Sequence, residues 1–405
     1  MRVLHLSSLY PPHIVGGAEK SVALLAEQLA SMGHQVGAAC IERKSVPKTM
    51  QNGVAVYRMP HSNSFWLEDW PEHSRGERLW QKLQQQWNTK IEAEFDRIVE
   101  DFKPDIINTH SMVDISTLVW RAARRHGVPV VHTLRDYDML CGNAGMFRHG
   151  HLCSHWHFGC RIVNLSKLWT NKWVSAVVGV GQATLDMHLD HGFFSHLPPE
   201  RKLVIWNGAI VPDEAAHARD TFDRSQQPMT FGYLGRVNVE KGVDTLIDAF
   251  RRIGAGNWRV RIAGQAPDSL DYFKKRAEGL PIAFVGWADP FEFFRELDVL
   301  IVPSIWAEPL PRAILESYAI GVPVIGSNSG GIPDLIGPNN HSWLFEPGNA
   351  EDLAAKVERV LKDGRSRLPP RETFQSVVNE TTPSRVAEKY LNLYQSVLAA
   401  VPPRG

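Results

Sequence analysis

Five short apolar runs divide the second half of the chain: MTFGYLG (229–235), WRVRIAG (258–264), IAFVG (282–286), VLIVPS (299–304) and VPVIGS (322–327). Stretches with helical spacing lie between them, notably 242–253 and 312–320. Parallel strands cannot be joined by a tight turn, so this strand–helix alternation specifies a parallel sheet with helices on both faces. The first half keeps the same rhythm less cleanly. RVLHLSS (2–8), QVGAACI (35–41), VAVYRMP (54–60), DIINTH (105–110) and VPVVHTL (128–134) read as strands. Val22, Leu25, Ala26 and Leu29 share a helix face that Gly33 ends, and another helix is expected near 114–126. Residues 65–102 read as mostly helical, with a break at Pro71.

A chain of 405 residues is too long for one comfortable core. The expected fold is therefore α/β, with two doubly wound, Rossmann-like domains facing across a cleft. Residues 1–210 form the first domain and 211–383 the second, with the polar segment 211–228 as linker. Residues 384–405 carry an amphipathic helix whose host periodicity does not decide; packing back on the first domain is one option. In such sheets ligands bind at the carboxyl ends of strands.

Lys plus Arg and Asp plus Glu both number 44, which disfavours nucleic acid as the main partner and leaves room only for a local basic patch. WVSAVVGVGQA (173–183), the most apolar long stretch, is shorter than the ~20 residues that cross a bilayer. Four cysteines in this length do not make a disulfide framework. A cytoplasmic protein is expected.

Some glycine loops are decoys. GVGQAT (179–184) follows a strand, but Thr184 stands where a dinucleotide fingerprint needs its third glycine. GGAEKS (16–21) ends like a phosphate loop without the glycine before lysine, and DYD (136–138) is too short to specify a metal site. GYLGRVNVEKG (232–242) is more informative: Arg236 and Lys241 flank the start of a helix. Free N–H groups at a helix start, a guanidinium fork and a point charge together suit a diphosphate. Two solvated surface cations are the plainer reading. In EPLPRAILE (308–316), Pro311 suits a first helical turn, so Glu308 falls in the preceding loop and Glu316 inside the helix. The pair is thus two grips on one extended ligand, or two idle carboxylates. SNSGGIPDL (327–335) adds another glycine loop before a helix.

GRVNVEKG (235–242), EPLPRAILE, GVPVIGSNSGGIPDLI (321–336) and PPHIVGGAEK (11–20) together resemble the retaining, GT-B-fold glycosyltransferases of family four. VIWNGAI (204–210), KPDIINTH (103–110) and TLRDYDMLC (133–141) extend the likeness through nearly the whole chain, in the family's order. The resemblance implies transfer of a hexose from a nucleotide-diphosphate sugar to a saccharide or lipid-linked saccharide, with no metal needed. Arg236 and Lys241 would hold the diphosphate as it leaves, Glu316 the ribose, and Glu308 the sugar hydroxyls. Gly16 and Gly17 would admit the phosphates closely, and Val285 with Gly286 would receive the base. Gly264, Leu310 and Pro311 complete the donor set, while His110, Arg135 and Asp136 are acceptor-binding candidates, Arg135 also a catalytic one. In the reaction implied, the acceptor hydroxyl attacks on the leaving-group face and a phosphate oxygen takes its proton.

The chain departs from the family's pattern in places. Arg135-Asp136 stands where many members carry His-Asp, so the donor-side imidazole is replaced by a permanent cation. Gly181 replaces a common serine, and Pro311 a common glycine, removing one N–H. Two rival functions stay open: a nucleotide-sugar epimerase on the same fold, and a binding or assembly protein without turnover.

Two further stretches raise separate questions. CGNAGMFRHGHLCSHWHFGC (141–160) makes Cys141, Cys153 and Cys160 a candidate structural zinc set, although no C-x₂-C knuckle is present. A reduced loop forming an acceptor lid is the competing reading. RIVNLSKLWTNKWV (161–174) sets Ile162, Leu165, Trp169 and Trp173 at helical spacing beside Arg161, Lys167 and Lys172. It reads either as a helix packed on its own domain or as a peripheral contact with the inner membrane face carrying a lipid-linked acceptor.

Overall fold

The computed structural model describes residues 1–153, 155–210, 226–266 and 270–400. Residues 211–225 of the expected linker lie outside the described residues. Two compact units result: Met1–Met146 with Cys153–Gly208 and the chain from Pro383 on, and Phe147–Leu152 with Ala209–Thr382.

The first unit is built on β1 (Arg2–Leu6), β2 (Gln35–Glu42), β3 (Val46–Gln51), β4 (Val54–Pro60), β5 (Ile106–Thr109) and β6 (Val130–Leu134). A small antiparallel hairpin, β7 (Phe147–Arg148) and β8 (His151–Leu152), interrupts the series before β9 (Ala176–Gly179) and β10 (Lys202–Val204). Among the described residues the sheet order is β10-β9-β6-β5-β1-β2-β4-β3. All pairings are parallel except β3 on β4. The sequence pattern missed β3 for a physical reason: as an exposed edge it buries neither face and shows no alternation, and Pro47 is tolerated there.

The order reverses between β1 and β5, whose register sets Leu6 opposite Thr109. The crevice of the first unit therefore opens at the ends of those strands. The helix Pro383–Ala399 packs into this unit's core through Val386, Ala387, Tyr390, Leu391, Tyr394 and Val397. Its contact is polar as well as apolar: Asn108 Nδ2 donates to the Tyr394 hydroxyl at 2.6 Å.

The second unit holds β11 (Met229–Leu234), β12 (Trp258–Ala263), β13 (Ile282–Gly286), β14 (Val299–Val302), β15 (Val324–Ser327) and β16 (Leu344–Phe345). These run in the order β13-β12-β11-β14-β15-β16, all parallel. Every residue of β14 is buried, as an apolar strand covered on both faces requires. The switch point lies between β11 and β14, so the loops after Leu234 and Val302 face its crevice.

Helix boundaries needed correction in three places. The helix expected near 114–126 begins only at Val119. Residues 65–102 split into a 3₁₀ turn (Leu67–Glu72) and the helices Arg75–Gln86 and Thr89–Phe102. The continuous helix expected over 161–174 is two short ones, Phe158–Val163 and Leu165–Thr170, followed by a 3₁₀ turn at Asn171–Trp173. Asn164 divides them: its backbone leaves helical geometry, and its side-chain amide takes the Cys160 carbonyl at 3.0 Å.

Candidate active site

At the switch point of the second unit, the turn after β11 carries Gly235, exposed Arg236, Lys241 and Gly242, and the helix Val243–Ile253 follows. Gly242 caps that helix at φ +72°, and a Cβ there would lie 1.8 Å from the Pro303 carbonyl. Only glycine lets the two loops approach so closely. The loops are also stitched by backbone: the amides of Ile305 and Trp306 both donate to the Glu240 carbonyl at 3.0 Å. Lys241 is thereby set beside the end of β14.

Glu308 is buried there, and its contacts converge on Oε1. The Lys241 ammonium donates to that oxygen, and Ser304 Oγ donates to it at 2.6 Å. The ammonium also stands 4.6 Å from the centre of the Trp306 ring. The Glu308 backbone is fixed in turn by the glycine loop after β15. Gly331 N donates to the Glu308 carbonyl at 2.7 Å, and a Cβ on Gly330 (φ +57°) would come within 2.2 Å of that same oxygen.

Pro311 sits one position earlier than expected, at the N-cap of the helix Arg312–Ala319, with Leu310 buried before it. Glu316 lies in that helix and pairs with Arg312 one turn back at 3.0 Å, both side chains mostly shielded. The sequence reading did not single out Arg312, Ser304 or Trp306. The i,i+4 spacing alone would have found Arg312.

Gly264 and Gly286 lie at the neighbouring strand ends. Gly264 N donates to the Gly286 carbonyl at 2.7 Å, and a Cβ on Gly264 (φ +144°) would strike the Gly235 carbonyl at 1.7 Å. The β12–β13 register slips between Ile262 and Ala263, pairing Ala263 with Gly286 and skipping Val285. Such a bulge frees the backbone of the skipped residue from the ladder. Hence Arg236, Lys241, Gly264, Val285, Gly286, Glu308, Leu310, Pro311 and Glu316 all belong to loops at the carboxyl edge of one sheet or to the helix that follows β14.

The first unit places the other candidates at the ends of β1, β5 and β6. Arg135 is buried: its Nε donates to His110 Nδ1 at 3.1 Å, and its Nη1 donates to Asn207 Oδ1. His110 Nε2 faces His5 Nδ1 at 3.0 Å. Burial, aided by the Arg135 charge, pushes the His5 imidazole down to about 3 and holds His110 well below its ordinary value. Both rings are therefore neutral at pH 7. Asp136 is half-buried and pushed up to about 6 by desolvation first and the Asp138 carboxylate second.

Gly16 and Gly17 are exposed at the start of the helix Gly17–Ser31, where Gly16 N donates to the Glu19 carboxylate at 2.9 Å. Gly16 is extended at φ −153°, and the nearest atom to a Cβ there is 3.9 Å away. Nothing in the fold demands that glycine.

The cysteine cluster gathers two thiols. The Cys141 thiol is drawn down to about 5 by its hydrogen bond with Cys160, and further by the amides of Asn143, Gly145 and Met146. Cys160 is shifted upward by the same bond. Cys153 completes no three-ligand group with them: among the described residues, three metal-type ligand atoms come within 4.8 Å of one another only at Asp96, Glu100 and His126.

Comparison with known proteins bears on the fold and the family. The family model for glycosyltransferase family 4 matches residues 15–210, and that for glycosyl transferases group 1 matches residues 217–375. An uncharacterized 42.6 kDa protein in the cps region of Klebsiella pneumoniae is 30% identical, over 98% of this chain and all of that protein. An uncharacterized glycosyltransferase of Methanocaldococcus jannaschii is 24% identical over 98% of both chains. Among solved structures, sucrose-phosphate synthase from Thermosynechococcus elongatus superposes with a TM-score of 0.75 at 18% identity, covering 98% of this chain and 99% of that one. HepE of Anabaena, solved in complex with UDP and glucose, gives 0.68 at 18% identity, covering 98% and 100%.

Proposed function

The chain belongs to the family-four glycosyltransferases and has their GT-B fold of two Rossmann-like units, and on that premise we propose which transfer it performs. It moves a hexosyl group, with retention and without a metal, from a UDP- or GDP-sugar to a saccharide or lipid-linked saccharide during polysaccharide biosynthesis. Two relatives support this reading: one lies in a cps region, and a structural neighbour binds UDP and glucose.

The observation that carries the proposal is the Lys241–Glu308 pair beside exposed Arg236 at the sheet's switch point. An ammonium has three donors, so Lys241 can keep its bond to Glu308 and offer the others to a diphosphate. Arg236 adds a fork suited to the same group. As the bond from the anomeric carbon to the diphosphate breaks, the two cations neutralise the charge that appears. The acceptor oxygen bonds to that carbon on the same face, and its proton passes to a diphosphate oxygen. Glu308 Oε2, which has no hydrogen-bond partner among the described residues, is left to accept from a sugar hydroxyl.

In this reading Glu316, held by Arg312, accepts from the ribose, and Val285 with Gly286 receives the base on its backbone. Gly16, Gly17, Gly264, Leu310 and Pro311 complete the donor set. His110, Arg135 and Asp136 serve the acceptor. Arg135 is tied to His110 and Asn207, so its part is to position them rather than to act alone.

The test is transfer measured with a panel of nucleotide sugars and saccharide acceptors, in the presence of EDTA. Lys241→Ala should lower kcat/KM by about 10³-fold, as loss of one preorganised charge does, with the fold intact although the buried Glu308 loses its partner. Glu316→Ala should weaken donor binding while leaving the fold intact. Full activity in either variant, or nucleotide release that needs no acceptor, overturns the assignment.

A further inference from the structure

The helix Arg75–Gln86 is inside out. It buries Gln81, Lys82, Gln85 and Gln86, while Leu79 and Trp80 are 51% and 59% exposed and Trp87, at its C-cap, 52%. The helix Leu165–Thr170 repeats the inversion: Ser166, Lys167 and Thr170 are buried, and Leu165 and Trp169 are 59% and 46% exposed. Phe158 and Ile162, in the short helix before it, face solvent too. An amphipathic helix packed on its own domain turns its apolar stripe inward, so two inverted neighbours mark a face built to be covered.

The inversion is locked from within. The Lys167 ammonium donates to Asp138, while Lys82 lies 3.7 Å from Asp114 and 3.9 Å from Asp138. Rolling either helix over would leave buried carboxylates unpaired, which costs more than exposing tryptophan. The helices are also bound to each other: Ser166 N donates to Gln86 Oε1 at 3.1 Å, and the rings of Trp87 and Trp169 are 6.0 Å apart. The outward residues therefore form one surface.

Its charge selects the occupant. Arg75, Lys90, Arg161 and Lys172 are exposed in segments 74–90 and 158–173, whose single acidic residue is Glu77. The Lys172 ammonium stands 4.3 Å from the Trp169 ring centre, a cation beside an apolar anchor. Tryptophans with flanking bases suit the headgroup layer of an anionic bilayer. A second copy of the chain on this face would instead bring like charges together. We propose that the face formed by Arg75–Gln86, Phe158–Val163 and Leu165–Thr170 docks the protein on an anionic lipid surface. The proposal is independent of the transfer reaction, because docking is read without donor or acceptor.

The test is flotation of the full chain with vesicles of phosphatidylcholine alone or mixed with phosphatidylglycerol. Binding to the mixed vesicles is expected, with loss in high salt and a blue shift of tryptophan fluorescence. The double variant Trp80→Ser/Trp169→Ser and the double variant Arg161→Glu/Lys172→Glu should each lower binding by at least about tenfold. Both should keep the wild-type melting temperature, since all four side chains are exposed. Trp287→Ser, which removes the exposed tryptophan of the second unit, should bind as the wild type does. No binding to mixed vesicles, or equal binding to neutral ones, overturns the proposal. So does a wild-type dimer that Trp80→Ser/Trp169→Ser dissolves, which would assign the face to a second copy.

Discussion

The two units set charge at the ends of their parallel strands by opposite means. In the second, Lys241, Glu308, Arg312 and Glu316 are held by adjacent loops and one helical turn, and glycines remove every Cβ that would keep the loops apart. In the first, Arg135, His110, His5 and Asn207 are buried and joined in one hydrogen-bonded chain, although His5 and His110 are 105 residues apart and Arg135 and Asn207 72. Of its ring nitrogens, only His5 Nε2 is without a partner among the described residues. The second arrangement leaves a donor group to offer a ligand. The first commits Arg135 and His110 to their neighbours and is a scaffold before it is a site.

Acid should separate the two most strongly. His5, His110, His132 and His188 of the first unit are buried, and burial is the main cause that moves all four down: His5 and His132 to about 3, His188 to about 4. A lowered imidazole pKa means that the unfolded chain takes up the proton first. Stability is therefore full above about pH 6.5 and falls as pH drops toward the folded values, by about 1.4 kcal/mol per histidine per pH unit. Asp136, raised to about 6, and Asp114, also raised by burial, act in the opposite sense for two protons and do not cancel four. The described histidines of the second unit, His149, His151 and His341, are exposed. Hydrogen exchange followed from pH 7 to pH 4.5 should show the first unit opening before the second. Simultaneous opening, or earlier loss of the second unit, would break the contrast.

The same contrast explains what could be read without coordinates. In the second unit the strands, the glycine loops and the 308–316 segment follow from local rules: apolar runs, a proline before a helix, glycine where loops meet. Arg236, Lys241, Glu308 and Glu316 stand out by those rules as candidates, whereas the direct Lys241–Glu308 bond does not, because it joins residues 67 apart. In the first unit His5 and Asn207 were missed, since nothing local distinguishes a buried histidine in a strand from any other. The inverted helix Arg75–Gln86 was also missed. Its periodicity marks an amphipathic helix but does not say which face turns inward; that is decided by Asp114 and Asp138, which lie outside it.

A smaller effect tests whether the second unit's glycines serve packing. Gly330→Ala places a Cβ 2.2 Å from the Glu308 carbonyl at φ +57°, so both strain and backbone collision oppose it. The expected loss is about 3 kcal/mol, with donor binding falling alongside. Gly348→Ala is the control: it sits in the turn closed by Asn349 N on the Glu346 carbonyl, φ is +77° and no atom lies within 4 Å, so only the left-handed strain of about 1 kcal/mol remains. Denaturant melts of the two variants check the difference. Equal losses would mean that the close approach to Glu308 is not what fixes the loop.

Gly16 should respond in the reverse way. Its backbone is extended and the nearest atom to an added Cβ is 3.9 Å away, so Gly16→Ala should change stability by less than about 0.5 kcal/mol. If the bare backbone instead exists to admit a phosphate, the added methyl holds the ligand off by roughly its own radius. Displacement on that scale should raise the donor KM by at least about tenfold while kcat, once donor is bound, changes less. A large stability loss would make Gly16 a packing glycine like Gly330. An unchanged donor KM would remove it from the binding set and leave the charged groups of the second unit to hold the diphosphate without it.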